Sequence, residues 1–104
     1  MSDTERRASP RSTVGFAVVV RAGAESGSGQ LKSISRLGAL LESDKPYVVG
    51  TSLLLLVQIP GDVLEVRGQV VRADTAEGIH SLGIMFAPLA LPTLKKLDSL
   101  LTPS

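Results

Sequence analysis

Two short clusters in this chain combine residue type and spacing in a way that could do chemistry. They are Arg6-Arg7-Ala8-Ser9-Pro10-Arg11 and Ser33-Ile34-Ser35-Arg36-Leu37-Gly38. A guanidinium is planar, permanently charged and carries a fork of donors that matches phosphate oxygens. The same fork matches the O6/N7 edge of guanine, and its face stacks on a purine. Arg7 and Arg11 stand four positions apart, so they could reach different parts of one compact, phosphate-bearing ligand. Spacing alone equally describes a solvated basic tail. In the second cluster Ser33 and Ser35 alternate with Ile34. On a strand, both hydroxyls would share one face while Ile34 enters the core. Gly38 would let the backbone approach a ligand closely. An ordinary strand end followed by a tight turn would use the same residues.

The other polar residues point away from catalysis. His80 is the sole histidine and has no second metal ligand or nucleophile beside it, which reads as a surface or strand-edge position. Asp44, Asp62, Asp74 and Glu77 fall where turns are predicted, and carboxylates suit turn chemistry. There are no cysteines, hence no disulfides and no thiolate metal site. No glycine-rich phosphate loop, zinc spacing or triad motif is present. The expectation is a protein that is not an enzyme and needs no cofactor.

The elements that must position the clusters follow from periodicity. A length of 104 residues implies one domain. With 43% hydrophobic but only 3% aromatic residues, Leu, Val, Ile and Ala must fill its core. Residues 1–12 are charged and apolar-poor, and are predicted to form a flexible arginine-bearing arm; residues 13–104 are predicted to form the folded domain. Val14, Phe16, Val18 and Val20 alternate as a half-buried strand does. Residues 22–29 are rich in Gly and Ser and read as a hairpin loop. Strands are expected over 30–35 and 39–42. Residues 53–59 are continuously apolar and read as a buried strand, although periodicity alone leaves a helix open. Pro60-Gly61-Asp62 signals a turn, 63–73 a strand, 75–78 a turn and 79–86 a strand, with Leu82, Ile84 and Phe86 on one face. After Pro88 the period becomes helical: Leu94, Leu97 and Leu101 fall at i, i+3 and i+7, and Pro92 suits a first turn. This helix is expected to lie across the open end of an antiparallel barrel or sandwich.

The balance of 11 basic and 10 acidic residues gives a net charge of +1, which argues against a binder of nucleic acid polymers. Only Phe16, Phe86 and Tyr47 could stack on bases, and both phenylalanines are expected in the core. The N-terminus lacks a signal-peptide core, and no apolar run is long enough to span a bilayer. A cytoplasmic protein without membrane insertion is the expectation.

Taken together, the chain resembles the PilZ domain family, bacterial receptors for cyclic di-GMP. The family pattern is R-x-x-x-R, a spacer, then [D/N]-x-S-x-x-G. Arg7-Ala8-Ser9-Pro10-Arg11 matches the first element, and Ser35 and Gly38 match the second. Gly68-Gln69-Val70-Val71-Arg72, Gly78-Ile79 and Leu82-Gly83-Ile84-Met85-Phe86 continue the likeness. The resemblance implies a mainly β fold, a six-stranded antiparallel barrel with a short C-terminal helix. It also implies an arm that wraps over cyclic di-GMP. By position, Arg7, Arg11, Ser35 and Gly38 would carry the binding, with Arg6 as a further phosphate contact; Arg36, a bulky charge beside the motif, could add another phosphate contact or crowd the site. Ser33 stands where the family has Asp or Asn and cannot form the same paired contact with a guanine edge. Losing a strong polar contact costs on the order of 1.5–3 kcal/mol, roughly tenfold to a hundredfold in affinity. A chain of this size would pass its signal to a partner protein. The alternative is a degenerate PilZ-like module that contacts proteins without the ligand.

Overall fold

Alternating aliphatic residues give the chain six strands, each with one face turned inward. The structure, a computed structural model, describes residues 12–101. The strands are β1 (Ser12–Ala22), β2 (Glu25–Ile34), β3 (Gly38–Ser43), β4 (Ser52–Ile59), β5 (Asp62–Ala76) and β6 (Ile79–Phe86); α1 (Leu91–Leu101) follows. All neighbours are antiparallel, in the closed order β1-β2-β3-β6-β5-β4. Closure leaves no edge strand to pair with another chain. Val18, Val20, Leu31, Ile34, Leu41, Leu55, Val57, Leu64, Val66, Val70 and Leu82 fill the interior. The ambiguous run 53–59 is a strand because Leu53, Leu55 and Val57 are buried while Leu54 and Leu56 are only half-buried.

Two loops predicted from composition are shorter than expected. The turn between β1 and β2 is only Gly23-Ala24, with φ +61° at Gly23, and Ser26-Gly27-Ser28-Gly29 is strand paired with β1. Those glycines serve packing instead of turning. A Cβ on Gly27 would come within 2.8 Å of Asp44 Oδ1 and 3.1 Å of the Tyr47 hydroxyl. Asp44 accepts hydrogen bonds there from the backbone N–H (3.1 Å) and hydroxyl (3.4 Å) of Ser28. Likewise, the turn between β5 and β6 is Glu77-Gly78, both at positive φ (54° and 79°), as a two-residue type I′ hairpin requires. Thr75 and Ala76 therefore remain in β5, and Thr75 Oγ1 lies 2.9 Å from Nδ1 of His80 across the ladder.

The barrel ends are closed by different means. At one end, residues 44–51 fold over the opening and bury Tyr47, leaving Val48 and Val49 exposed. At the other end lie the β2–β3 and β4–β5 turns, and α1 spans them. Leu97 is fully buried in the core cluster, with Leu100 and Leu101 packed against it. Asp98 meets Arg36 of the β2–β3 turn, and Lys96 Nζ lies 3.0 Å from Asp62 at the β4–β5 turn. Thus the expected helix across the barrel mouth is fastened at both rims. No helix among the described residues is long and apolar enough to cross a membrane.

Replacing Leu97 by Ala should lower the unfolding free energy by about 2–5 kcal/mol in denaturant titrations, the range for a cavity in a packed core. The Asp62 carboxyl is held below the usual carboxylate range by the Val63 backbone N–H first, then by Lys96. A depressed pKa stabilises the fold above the unfolded value and ceases to do so as the group protonates. Helical circular dichroism should therefore weaken on acidification below about pH 4, and Asp62→Asn should flatten that part of the profile.

Candidate functional site

The second cluster straddles the end of β2, a tight turn and the start of β3. Its geometry is set by a close crossing: a Cβ at Gly38 would overlap the carbonyl oxygen of Ile84 on β6. Gly38 is paired with Met85, so β3 lies against β6 where only glycine fits. The turn closes through Ser35 N–H to the Gly38 carbonyl (2.8 Å), and Phe86 N–H donates to the Leu37 carbonyl (2.8 Å). The Ser35 hydroxyl accepts from Leu37 N–H (3.3 Å) and donates to the Gly38 carbonyl (3.4 Å). Being 3% exposed, that hydroxyl shapes the turn from within.

Ser33, Ile34 and Ser35 are all buried, at 8%, 0% and 3% exposure. Strict alternation would leave the two serines outside. A register shift in the β2–β3 ladder between Leu31 and Ser33 breaks the alternation, so that Leu31 and Ile34 both enter the core. Ser33 sits opposite Thr13 of β1 and Leu40 of β3. Arg36 leaves the turn toward α1, where its Nε and Nη2 donate to the two carboxylate oxygens of Asp98 at 2.8 and 3.0 Å. Arg6, Arg7 and Arg11 lie outside the described residues.

Gly38 opens onto a shallow groove on the outer face of β3, β6 and β5. Its volume is about 280 Å³, and Leu37, Leu40, Val71, Arg72, Gly83 and Met85 also line it. Gly83 forms floor without side chain; a Cβ there would come within 3.2 Å of the Arg72 Cβ. A second register shift, in β5 between Val70 and Arg72, buries Val70 and turns Val71 outward beside Arg72. The Arg72 Nε lies 3.6 Å from Asp74, and both side chains are mostly exposed, at 80% and 70%. Such a pair holds a guanidinium only weakly. The groove thus offers an apolar floor and a redirectable planar cation, which is what a purine face or a phosphate needs.

Arg72 lines the groove but belongs to neither of the two clusters. Its position beside Gly83 depends on the strand register and the β5 bulge, neither of which the two clusters display. A larger concavity, about 710 Å³, lies around Arg21, Leu54, Arg67 and Gln69 and shares Met85 with the first. It contains no residue of either cluster, so the smaller groove is the better candidate. Tyr47 is buried, and Phe16 and Phe86 are half-buried against the core. No described aromatic ring is therefore presented as a base-stacking platform. Among the described residues, no group of three or more potential ligands is gathered for a metal ion.

The PilZ domain family model matches residues 5–102. Among curated proteins, no sequence matches the chain. Among solved structures, the Bacillus subtilis inhibitor of motility MotI/DgrA superposes with a TM-score of 0.77 at 17% identity, over 91% of this chain and 49% of that one. The PilZ domain of YcgR from Escherichia coli, solved with c-di-GMP, gives 0.76 at 13% identity, over 92% and 88%. The K. pneumonia MrkH–c-di-GMP complex gives 0.70 at 17% identity, over 92% and 51%. The chain therefore spans about half the length of the MotI/DgrA and MrkH chains. At these identities the likeness shows the barrel fold.

The close crossing makes one substitution decisive. Gly38→Ala forces the β3 and β6 backbones apart, and overpacking of this kind costs about 1–3 kcal/mol or more. A urea melt of the variant should show that loss, while Leu37→Ala on the exposed groove wall should stay within about 0.5 kcal/mol of wild type.

Proposed function

The chain belongs to the PilZ domain family, and from that premise we propose that it is a receptor for cyclic di-GMP that hands the signal to a partner protein. The groove beside Gly38 is the observation that carries this reading. A groove of about 280 Å³ falls just below the usual size of ligand sites. A cyclic dinucleotide resting there would need cover from another segment. Ser12 pairs with Ile34 in β2, and β2 is the neighbour of β3. Ser12 is therefore about 10 Å, two strand spacings, from β3. The stretch from Arg7 to Arg11 spans up to about 17 Å when extended, so its guanidinium groups are within reach of the groove.

In this reading Arg72 stacks on a guanine or pairs with a phosphate, and Leu40, Val71 and Met85 receive the apolar faces of the base. Gly38 and Gly83 let the ligand settle on the backbone. Arg7 and Arg11 clamp from above, and Arg6 adds charge. Ser35 contributes by holding the turn. Ser33 contributes less than the Asp or Asn found in the family, which lowers affinity. Closing an arm over a ligand opposes binding through its entropy cost, but it also makes the new surface conditional on the ligand. YcgR and MrkH were solved with c-di-GMP, and MotI/DgrA is named an inhibitor of motility. These relatives support a receptor or effector role in bacterial signalling. We place the protein in the cytoplasm, where such a messenger would be met, and we assign it no catalytic activity.

One observation favours a second reading. Ser33 and Ser35 are buried, and Leu37, Leu40, Val71 and Met85 expose apolar surface together. A PilZ-like module that had lost its ligand could use that face to dock a protein directly.

Isothermal titration calorimetry with cyclic di-GMP separates the two. The receptor reading expects binding that Arg7→Ala or Arg11→Ala reduces at least tenfold, and that Arg72→Ala weakens severalfold. Ser33→Asn should tighten it roughly tenfold, by restoring a paired polar contact. Absence of heat at near-millimolar ligand, with partner capture unaffected by Arg7→Ala/Arg11→Ala, would leave the second reading.

A further inference from the structure

The larger hollow, of about 710 Å³, meets the proposed ligand groove only at Met85. Strand register sets it out in rows. Arg21 of β1 stands opposite Leu54 of β4, and Leu54 opposite Arg67 of β5. In the next row Ser52 stands opposite Gln69, and Gln69 opposite Met85 of β6. Their chain neighbours Val20, Leu53, Leu55 and Val66 are buried, so Arg21, Leu54 and Arg67 share the outer face. Two exposed guanidinium groups therefore flank one half-buried aliphatic side chain.

The charge in this row is uncompensated. No carboxylate lines the hollow. Among the described residues neither Arg21 nor Arg67 forms an ion pair. Glu65 precedes Arg67 by two positions on β5, but it lines the neighbouring hollow beside α1. A positive, carboxylate-free surface is complementary to an acidic partner. Spacing then selects the form of that partner. β4 separates β1 from β5, so the two arginine backbones are about 10 Å apart, two strand spacings. A single small anion would leave Leu54 and Met85 uncovered. An α-helix places residues i and i+7 about 10.5 Å apart on one face, with i+3 and i+4 between them. The hollow crosses β1, β4, β5 and β6, a span of about 14 Å. That is between two and three helical turns.

We propose that this hollow docks an acidic amphipathic helix of a partner protein. Carboxylates at i and i+7 of that helix meet Arg21 and Arg67, and an apolar side chain at i+3 or i+4 packs on Leu54. Apolar anchors at helical spacing are the usual way a groove takes a helix, and the arginines fix its position along the row. The inference goes beyond the receptor reading and does not depend on it. It gives the partner a face that a ligand in the smaller groove leaves open. Both guanidinium groups are exposed, so each ion pair contributes modestly, about two- to fivefold in affinity.

The test uses the full chain without cyclic di-GMP, so its failure leaves the receptor reading standing. The probe is an alanine-rich helical peptide with glutamate at i and i+7 and leucine at i+4, titrated to millimolar concentration. In wild type, amide shifts should centre on Arg21, Leu54, Arg67 and Gln69, and binding should weaken as salt is raised. Arg21→Gln and Arg67→Gln should each weaken binding two- to fivefold. Arg21→Glu/Arg67→Glu should lose the glutamate peptide and prefer a counterpart with lysine at i and i+7. The proposal is overturned if a peptide with glutamine in place of glutamate binds wild type equally well. It is overturned too if the shifts fall elsewhere or are absent, or if a folded Arg21→Glu/Arg67→Glu keeps the wild-type preference. Tighter binding of inorganic pyrophosphate or a thymidine oligonucleotide at the same residues would also overturn it, since the hollow would then be a site for phosphates. The wild-type titrations decide the matter even if a variant fails to fold.

Discussion

Position 38 cannot carry a side chain, and much of the site follows from that. A Cβ there would overlap the Ile84 carbonyl oxygen, so glycine is what allows β3 to lie directly on β6. The crossing brings the Leu37 carbonyl to the Phe86 N–H and lets Ser35 bind the turn together from inside. With the turn fixed, Leu37 faces the groove and Arg36 faces α1. One backbone contact therefore positions both the proposed binding face and the latch on the helix. Gly83 extends the same logic to the next cross-strand row, where it lies between Leu40 and Arg72.

The barrel interior explains why the proposed site is on the outside. With few aromatic residues, the protein fills its core mainly with Leu, Val and Ile, and Tyr47 and Leu97 stop the two ends. Close packing of this kind leaves no room for a ligand within. A small barrel can bind only on its outer sheet, where grooves are shallow and water is near. Affinity must then come from charge and from segments that fold over the ligand. The composition fits this division under the proposed function, in which aliphatic residues carry stability and guanidinium groups at the periphery would carry recognition.

Much of the architecture was legible because alternation is a direct consequence of strand geometry. The strands through Val18 and Val20, through Leu64 and Val66, and through Leu82 and Ile84 stand as their periodicity indicated. The helix through Leu97 is likewise where its spacing placed it. The errors came where composition was used in place of geometry: Ser26 to Gly29 looked like loop filler, yet its glycines make room for Asp44 and Tyr47. Register shifts were invisible for a different reason. Nothing in Leu31-Lys32-Ser33 or Val70-Val71-Arg72 announces an extra residue, yet those shifts accompany the burial of Ser33 and the placing of Arg72 at the groove. The Arg36–Asp98 fork joins residues 62 positions apart and needed the folded barrel to be seen. Arg6, Arg7 and Arg11 remain assigned from the motif, since they lie outside the described residues.

The central claim is that the outer face of β3, β6 and β5 is a cyclic dinucleotide site. Amide chemical-shift mapping with cyclic di-GMP on the labelled full chain tests it most directly. The account predicts that the largest shifts within the barrel cluster at Leu37 to Leu40, Val71, Arg72 and Gly83 to Met85. Shifts centred instead on Arg21, Leu54 and Arg67, or a spectrum unchanged at near-millimolar ligand, would contradict it.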